Sequence, residues 1–264
     1  MRSAIVGLTL LAGCLLASPV CAQTTTAPTQ PAQDARPADA PPACDVPAYL
    51  LSSDSSLTHV ADAVKAKSPL NVLVVGSRSS TIASSEGSAY PAKLQAMLKE
   101  KLPGVPVSLS VELQNGKTAE EVAGNLVKLV EAKRPTLVIW QTGTVDAMRS
   151  IDPDDFRNGV DEGVAALQKA GVDVVLINLQ YSPRTETMIS GSPYLDTIRV
   201  VAQEHSVPLF DRFAIMRHWN EAGDFDLFSA THGPELAKRV HGCLGRALTK
   251  FVIDAAHLGP SQQN

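Results

Sequence analysis

Residues with chemical capacity gather at four places in this 264-residue chain. The run Gly76-Ser77-Arg78-Ser79-Ser80 sets three hydroxyls and a guanidinium directly behind an apolar stretch. Asp226, His232 and Glu235 come late and close together. A serine, an imidazole that takes its proton and a carboxylate that orients the imidazole are the parts of nucleophilic acyl transfer. Gly116 and the stretch Trp140-Gln141-Thr142-Gly143-Thr144-Val145-Asp146 lie between them and offer loop N–H groups. Arg78 works against such chemistry, because a guanidinium stays protonated and only donates. Asp146 reads as an early-helix charge, and His218 and His241 as packing or surface residues. No His-Glu-x-x-His, paired Cys-x-x-Cys, Gly-x-Gly-x-x-Gly or phosphate-loop sequence occurs, so the sequence offers no metal or cofactor site.

The elements that must position these residues alternate along the chain. Leu70 to Gly76 is apolar without polar alternation, as a parallel strand buried on both faces would be. Further strands are predicted at Val105 to Leu113, Thr136 to Gln141, Asp173 to Leu179 and Val207 to Phe210. Helical spacing or end signals mark the segments around Leu57 to Val64, Pro91 to Leu102, Thr118 to Lys133 and Asp152 to Gly171. They recur at Tyr194 to Glu204, Arg212 to Glu221 and Glu235 to Ala256. Thr118 and Glu121 form a capping-box pair, and a long loop through Tyr181, Pro183 and Gly191 is expected. The alternation predicts an α/β fold: a doubly wound, five-stranded parallel sheet in a three-layer α/β/α stack. In such a sheet, ligands gather at the carboxyl ends of strands beside a topological switch, where Arg78 and its serines stand.

The order of these exits resembles the SGNH (GDSL) hydrolase family over residues 69–250. In that family the first strand ends in Gly-Asp-Ser, the second exit supplies Gly, the third Gly-x-Asn, and a late Asp-x-x-His supplies acid and base. Gly76, Gly116 and Gly143 stand where the family's glycines would. The resemblance implies a serine esterase or acyltransferase fold, with acyl esters, acetylated polysaccharide among them, as ligands. Counted from Gly76, however, the nucleophile slot holds Arg78 and the Asn slot Val145. The late block, taken as His232-Gly233-Pro234-Glu235, puts His232 for Asp and Glu235 for His.

Two readings follow. In the first the site is degenerate, Arg78 and Glu235 form an ion pair in place of serine and histidine, and the protein binds or scaffolds at the cell envelope. In the second, one inserted residue makes Ser79 the nucleophile, His232 its base, Asp226 the orienting carboxylate and Gly116 N–H an oxyanion donor.

The ends of the chain bear on location. Met1-Arg2, an apolar run and Ser18-Pro19-Val20-Cys21-Ala22 read as a signal peptide over 1–22, so a periplasmic or secreted protein is expected. Leu11-Ala12-Gly13-Cys14 is an alternative lipoprotein box that would anchor the chain at Cys14. Residues 23–42 carry five prolines and read as a disordered spacer before a domain over 43–258 and a disordered tail over 259–264. Removal of the signal leaves Cys44 and Cys243, which in an exported chain are expected to pair. The net charge of −4, without basic clusters, argues against nucleic acid, no stretch reads as a membrane span, and a monomer is expected.

Overall fold

The computed structural model describes residues 44–228 and 233–259. The expected signal peptide, the whole of the spacer, the tail beyond residue 259, and His232 lie outside the described residues.

The elements run in chain order as α1 (Thr58–Lys65), β1 (Leu70–Gly76), α2 (Tyr90–Lys101), β2 (Val107–Leu113), α3 (Ala119–Lys133) and β3 (Leu137–Gln141). There follow α4 (Thr144–Met148), α5 (Pro153–Lys169), β4 (Asp173–Ile177), α6 (Pro183–Met188), α7 (Ser192–Glu204), β5 (Leu209–Phe210), α8 (Arg212–Glu221) and α9 (Gly233–Ala255). All strand pairs are parallel, in the order β2-β1-β3-β4-β5. This is the expected doubly wound α/β/α sheet. Its order reverses between β1 and β3, so their two exits flank the crevice.

Alternate residues of each strand serve different layers, and both layers are apolar. Val72, Val74, Leu137, Ile139, Val175 and Ile177 pack with residues of α1, α2, α8 and α9. Leu73, Val75, Val138, Trp140, Val174 and Leu176 pack with α3, α5 and α7. Two buried faces explain why these strands read as unbroken apolar runs.

Several boundaries differ from expectation by a few residues. The second strand begins at Val107 because Pro106, with no N–H to give, contributes only its carbonyl, which accepts from Leu70 N at 2.8 Å. The fourth strand stops at Ile177 because buried Asn178 turns its side chain to the start of α8. Its Nδ2 donates to Asp211 Oδ1 at 2.7 Å, and its Oδ1 accepts from Phe213 N at 3.0 Å. The long loop after it contains α6, which Ser182 caps by accepting from Thr185 N at 3.1 Å with Pro183 in the first turn.

The domain's ends are tied at two points. Cys44 and Cys243 form a disulfide, with Cα atoms 5.3 Å apart, joining the first described residue to α9. Asp173 Oδ2 accepts from Val60 N at 2.8 Å and so caps α1 from the start of β4. Because the disulfide closes a loop of nearly the whole domain, Cys44→Ser with Cys243→Ser is expected to lower unfolding free energy by about 2–5 kcal/mol. Urea denaturation of the variant and of the reduced wild type measures this loss.

Candidate active site

The first strand's exit is folded back on itself. Ser77 N donates to Ser80 Oγ at 3.3 Å, and Ser80 N to Ser77 O at 2.8 Å, so Arg78–Ser80 form one tight 3₁₀ turn. A Cβ at position 76 would fall 2.1 Å from Ser80 Oγ, which leaves glycine as the residue that fits. The turn aims Ser77, Ser79 and Ser80 at the end of β3 and leaves Arg78 outside, exposed to solvent.

At the end of β3, Gln141 gathers these groups. Its Oε1 accepts from Ser80 Oγ at 2.8 Å, Arg212 Nη1 at 2.8 Å and Tyr90 OH at 3.3 Å. Its Nε2 donates to Ser79 Oγ at 2.9 Å and Ser77 Oγ at 3.1 Å. The amide has one workable orientation, since a guanidinium offers donors alone and so must face the carbonyl oxygen. The nitrogen then points at the serines. Arg212 Nη1 also reaches Ser79 Oγ at 3.3 Å. Arg212 is 1% exposed and is set there by the N-cap of α8, where Asp211 Oδ1 accepts from Ala214 N at 2.9 Å and from Asn178. Burial lowers its pKa to about 10, which still leaves it charged at neutral pH.

Two recesses border this network on the side of Ser77 and Ser79. The smaller, about 20 Å³, lies beside Gly76, Ser77, Gly143, Thr144 and Val145 and has room for about one water. The larger, about 280 Å³, lies toward α9 and is lined by Ser79, Arg212 and His241 at its polar end and by Met216, Leu236 and Val240. Ser79 therefore faces a different space from Val145.

Gly116 sits in a turn at φ +73°, its carbonyl 3.5 Å from Arg149 Nη1, and lines neither recess. Asp226 is exposed and accepts from Phe228 N at 3.1 Å. Asp146 is buried and accepts from Ala119 N at 2.8 Å, at the start of α3, with burial raising its pKa. The expected Arg78–Glu235 pair does not form. Glu235 lies in the first turn of α9, 78% exposed, and pairs with Lys238 at 2.7 Å, while Arg78 makes no salt bridge among the described residues. Helical geometry explains the mismatch: positions 235 and 238 are one turn apart on the same solvent face. Gln141, Arg212 and Tyr90 were not foreseen as site residues. The usable signal was Gln141 itself, a polar residue ending an otherwise apolar strand. Among the described residues, no group of three or more His, Cys, Asp or Glu is placed to hold a metal.

His241 is the imidazole at the larger recess. Its Nδ1 accepts from Tyr90 N at 3.0 Å, which fixes the neutral tautomer with hydrogen on Nε2. Burial, aided by the Arg212 charge, lowers its pKa to about 4. Between about pH 6.5 and 4 the unfolded chain thus binds a proton that the folded chain does not, so this contribution to stability is intact above 6.5 and is lost on acidification. The slope from one such group is at most about 1.4 kcal/mol per pH unit. Asp146 and Asp173, whose pKa values are raised by burial, act in the opposite sense, losing stability as pH rises. His241→Gln, which keeps an acceptor for Tyr90 N, is expected to remove the loss between pH 6.5 and 5; denaturation curves across that range measure it. Gln141→Leu is expected to destabilise by about 2–4 kcal/mol in the same assay, because it strands several buried donors, one of them charged.

Comparison with known proteins agrees with this architecture. The chain is similar to the solved structure of TesA, with 20% identity, 70% of this chain and 99% of that one covered, and a TM-score of 0.55. It is similar also to the psychrotrophic esterase EstA from Pseudoalteromonas sp., at 16% identity, 70% and 97% coverage and TM-score 0.55. A third likeness is to a catalytic mutant of Axe2, an acetylxylan esterase from Geobacillus stearothermophilus, at 17%, 69% and 94%, and 0.56. These likenesses establish the fold. No curated protein matches the chain in sequence. The profile that describes non-GDSL lipase-like proteins matches residues 43–258, nearly the whole of the α/β/α domain, and to that family this chain belongs.

Proposed function

We propose that this protein is an exported SGNH-fold member whose esterase site is degenerate and whose crevice binds a ligand without hydrolysing it. The carrying observation is the environment of Ser79 Oγ, which accepts from Gln141 Nε2 at 2.9 Å and Arg212 Nη1 at 3.3 Å. Neither group takes up a proton, whereas a nucleophilic serine requires a neighbouring base. Among the described residues no imidazole or carboxylate is hydrogen-bonded to this hydroxyl. Arg78 in the nucleophile slot and the apolar Val145 in the Asn slot support the same reading, and loss of one oxyanion donor alone costs about 2.7–4 kcal/mol of transition-state stabilisation. Export rests on the sequence of residues 1–22 and on the Cys44–Cys243 disulfide, which suits an oxidising compartment.

One observation favours a second reading. Ser79 lines a recess of about 280 Å³, large enough for an acyl group. In that reading the protein is a serine esterase or acyltransferase with His232 as base and Asp226 orienting it. The neighbours described as acetylxylan and acetyl-xylooligosaccharide esterases would then suggest acetyl esters of a carbohydrate.

Assay of the purified protein, freed of its leader, on p-nitrophenyl acetate and acetylated xylooligosaccharide separates the two. The binding reading expects no turnover above buffer and no difference between wild type, Ser79→Ala and His232→Ala. Turnover that falls by about 10²-fold or more in both variants establishes the esterase instead.

A further inference from the structure

Among the described residues Arg212 has no counter-charge, although it is buried. Among the described residues its hydrogen-bond partners are Gln141 and Ser79, both neutral, and they use one nitrogen, Nη1. Nε and Nη2 are buried and have no partner. Neither nitrogen is open to the recess, so Arg212 acts there through its uncompensated charge. The neighbouring Asp211 does not serve it, its oxygens being engaged by Asn178, Ala214 N and Arg199. A desolvated cation in this condition is costly unless an anion answers it.

The recess of about 280 Å³ that Arg212 lines has two characters. Ser79, Arg212 and His241, with Gln180, Tyr181 and Ser182, supply its polar groups, and Met216, Leu236 and Val240 form an apolar wall. We propose that this recess is a binding site for a monocarboxylate with a short apolar chain, the carboxylate beside Arg212 and Ser79 and the chain against Met216, Leu236 and Val240. This names the ligand class of the binding reading above and rests on it. A single negative charge fits better than a phosphate, because among the described residues that line the recess Arg212 is the one charged group, while His241 stays neutral at physiological pH.

Hexanoate is the probe, with 1-hexanol and inorganic phosphate as controls, titrated calorimetrically into the protein freed of its leader. Saturable hexanoate binding is expected, with both controls weaker by about tenfold or more, the scale of one charge-assisted hydrogen bond. Arg212→Gln is expected to weaken hexanoate by about the same factor. Since that change also takes a partner from Gln141, Ala237→Trp is the second variant: it fills the recess, leaves the guanidinium alone and is expected to abolish binding. Bound hexanoate should also raise the pKa of His241, followed by its imidazole NMR signals. Hexanoate binding no tighter than 1-hexanol or phosphate, or binding untouched by Ala237→Trp, overturns the site. Ser79-dependent hydrolysis of p-nitrophenyl hexanoate overturns the non-hydrolytic reading alone, with Arg212-dependent hexanoate binding then standing as a product complex. Absence of both hydrolysis and hexanoate binding overturns the site alone.

Discussion

A guanidinium that can only donate, buried where strand exits meet, dictates the polarity of everything around it. Arg212 requires an acceptor and finds the Gln141 carbonyl at 2.8 Å. That contact turns the amide nitrogen toward Ser77 and Ser79, so their hydroxyl oxygens are used as acceptors. In an esterase of this architecture the serine oxygen must be free to lose its proton to a base. Here Gln141 and Arg212 donate to it, which supports the proposed binding reading over a nucleophilic one. Tyr90 and His241 extend the same pattern, the tyrosine hydroxyl donating to Gln141 and its backbone N–H fixing the imidazole.

The fold supplies the frame for this through its switch point. β1 and β3 lie side by side and lead outward in opposite directions through the sheet, so Ser77–Ser80 and Gln141 are brought together by topology. The remaining part comes from the far side. Buried Asn178 ends β4 and clamps Asp211 and Phe213, which carries the first residue of α8, Arg212, under the same exits. Three separate strand ends therefore converge on one amide.

Much of the frame was legible in the sequence because the parallel strands are buried on both faces and leave an unmistakable apolar signature at Leu70–Gly76 and Leu137–Gln141. Caps at Thr118 and Asp152 were legible for a similar reason, since their side chains act locally. The site was legible only to the level of its loop. Ser79 and the exposed Arg78 were recognised as the residues at stake, but spacing could not show which hydroxyls turn inward. Arg212 was hidden because Asp-Arg at a helix start reads as a solvated pair, and its burial depends on Asn178, 34 residues earlier. The Arg78–Glu235 pairing failed for the converse reason. It was argued from slots in a pattern, whereas the first turn of α9 gives Glu235 a nearer partner in Lys238.

The condition of the Ser79 hydroxyl decides whether this crevice binds or hydrolyses, and it can be read chemically. A p-nitrophenyl phosphonate ester attaches covalently to a serine that has a working base, with release of p-nitrophenol, and leaves an unactivated one untouched. Intact-mass spectrometry after prolonged incubation should return the unmodified protein. A mass increase of one phosphonyl group, mapped to Ser79 and absent in His232→Ala, would contradict the account.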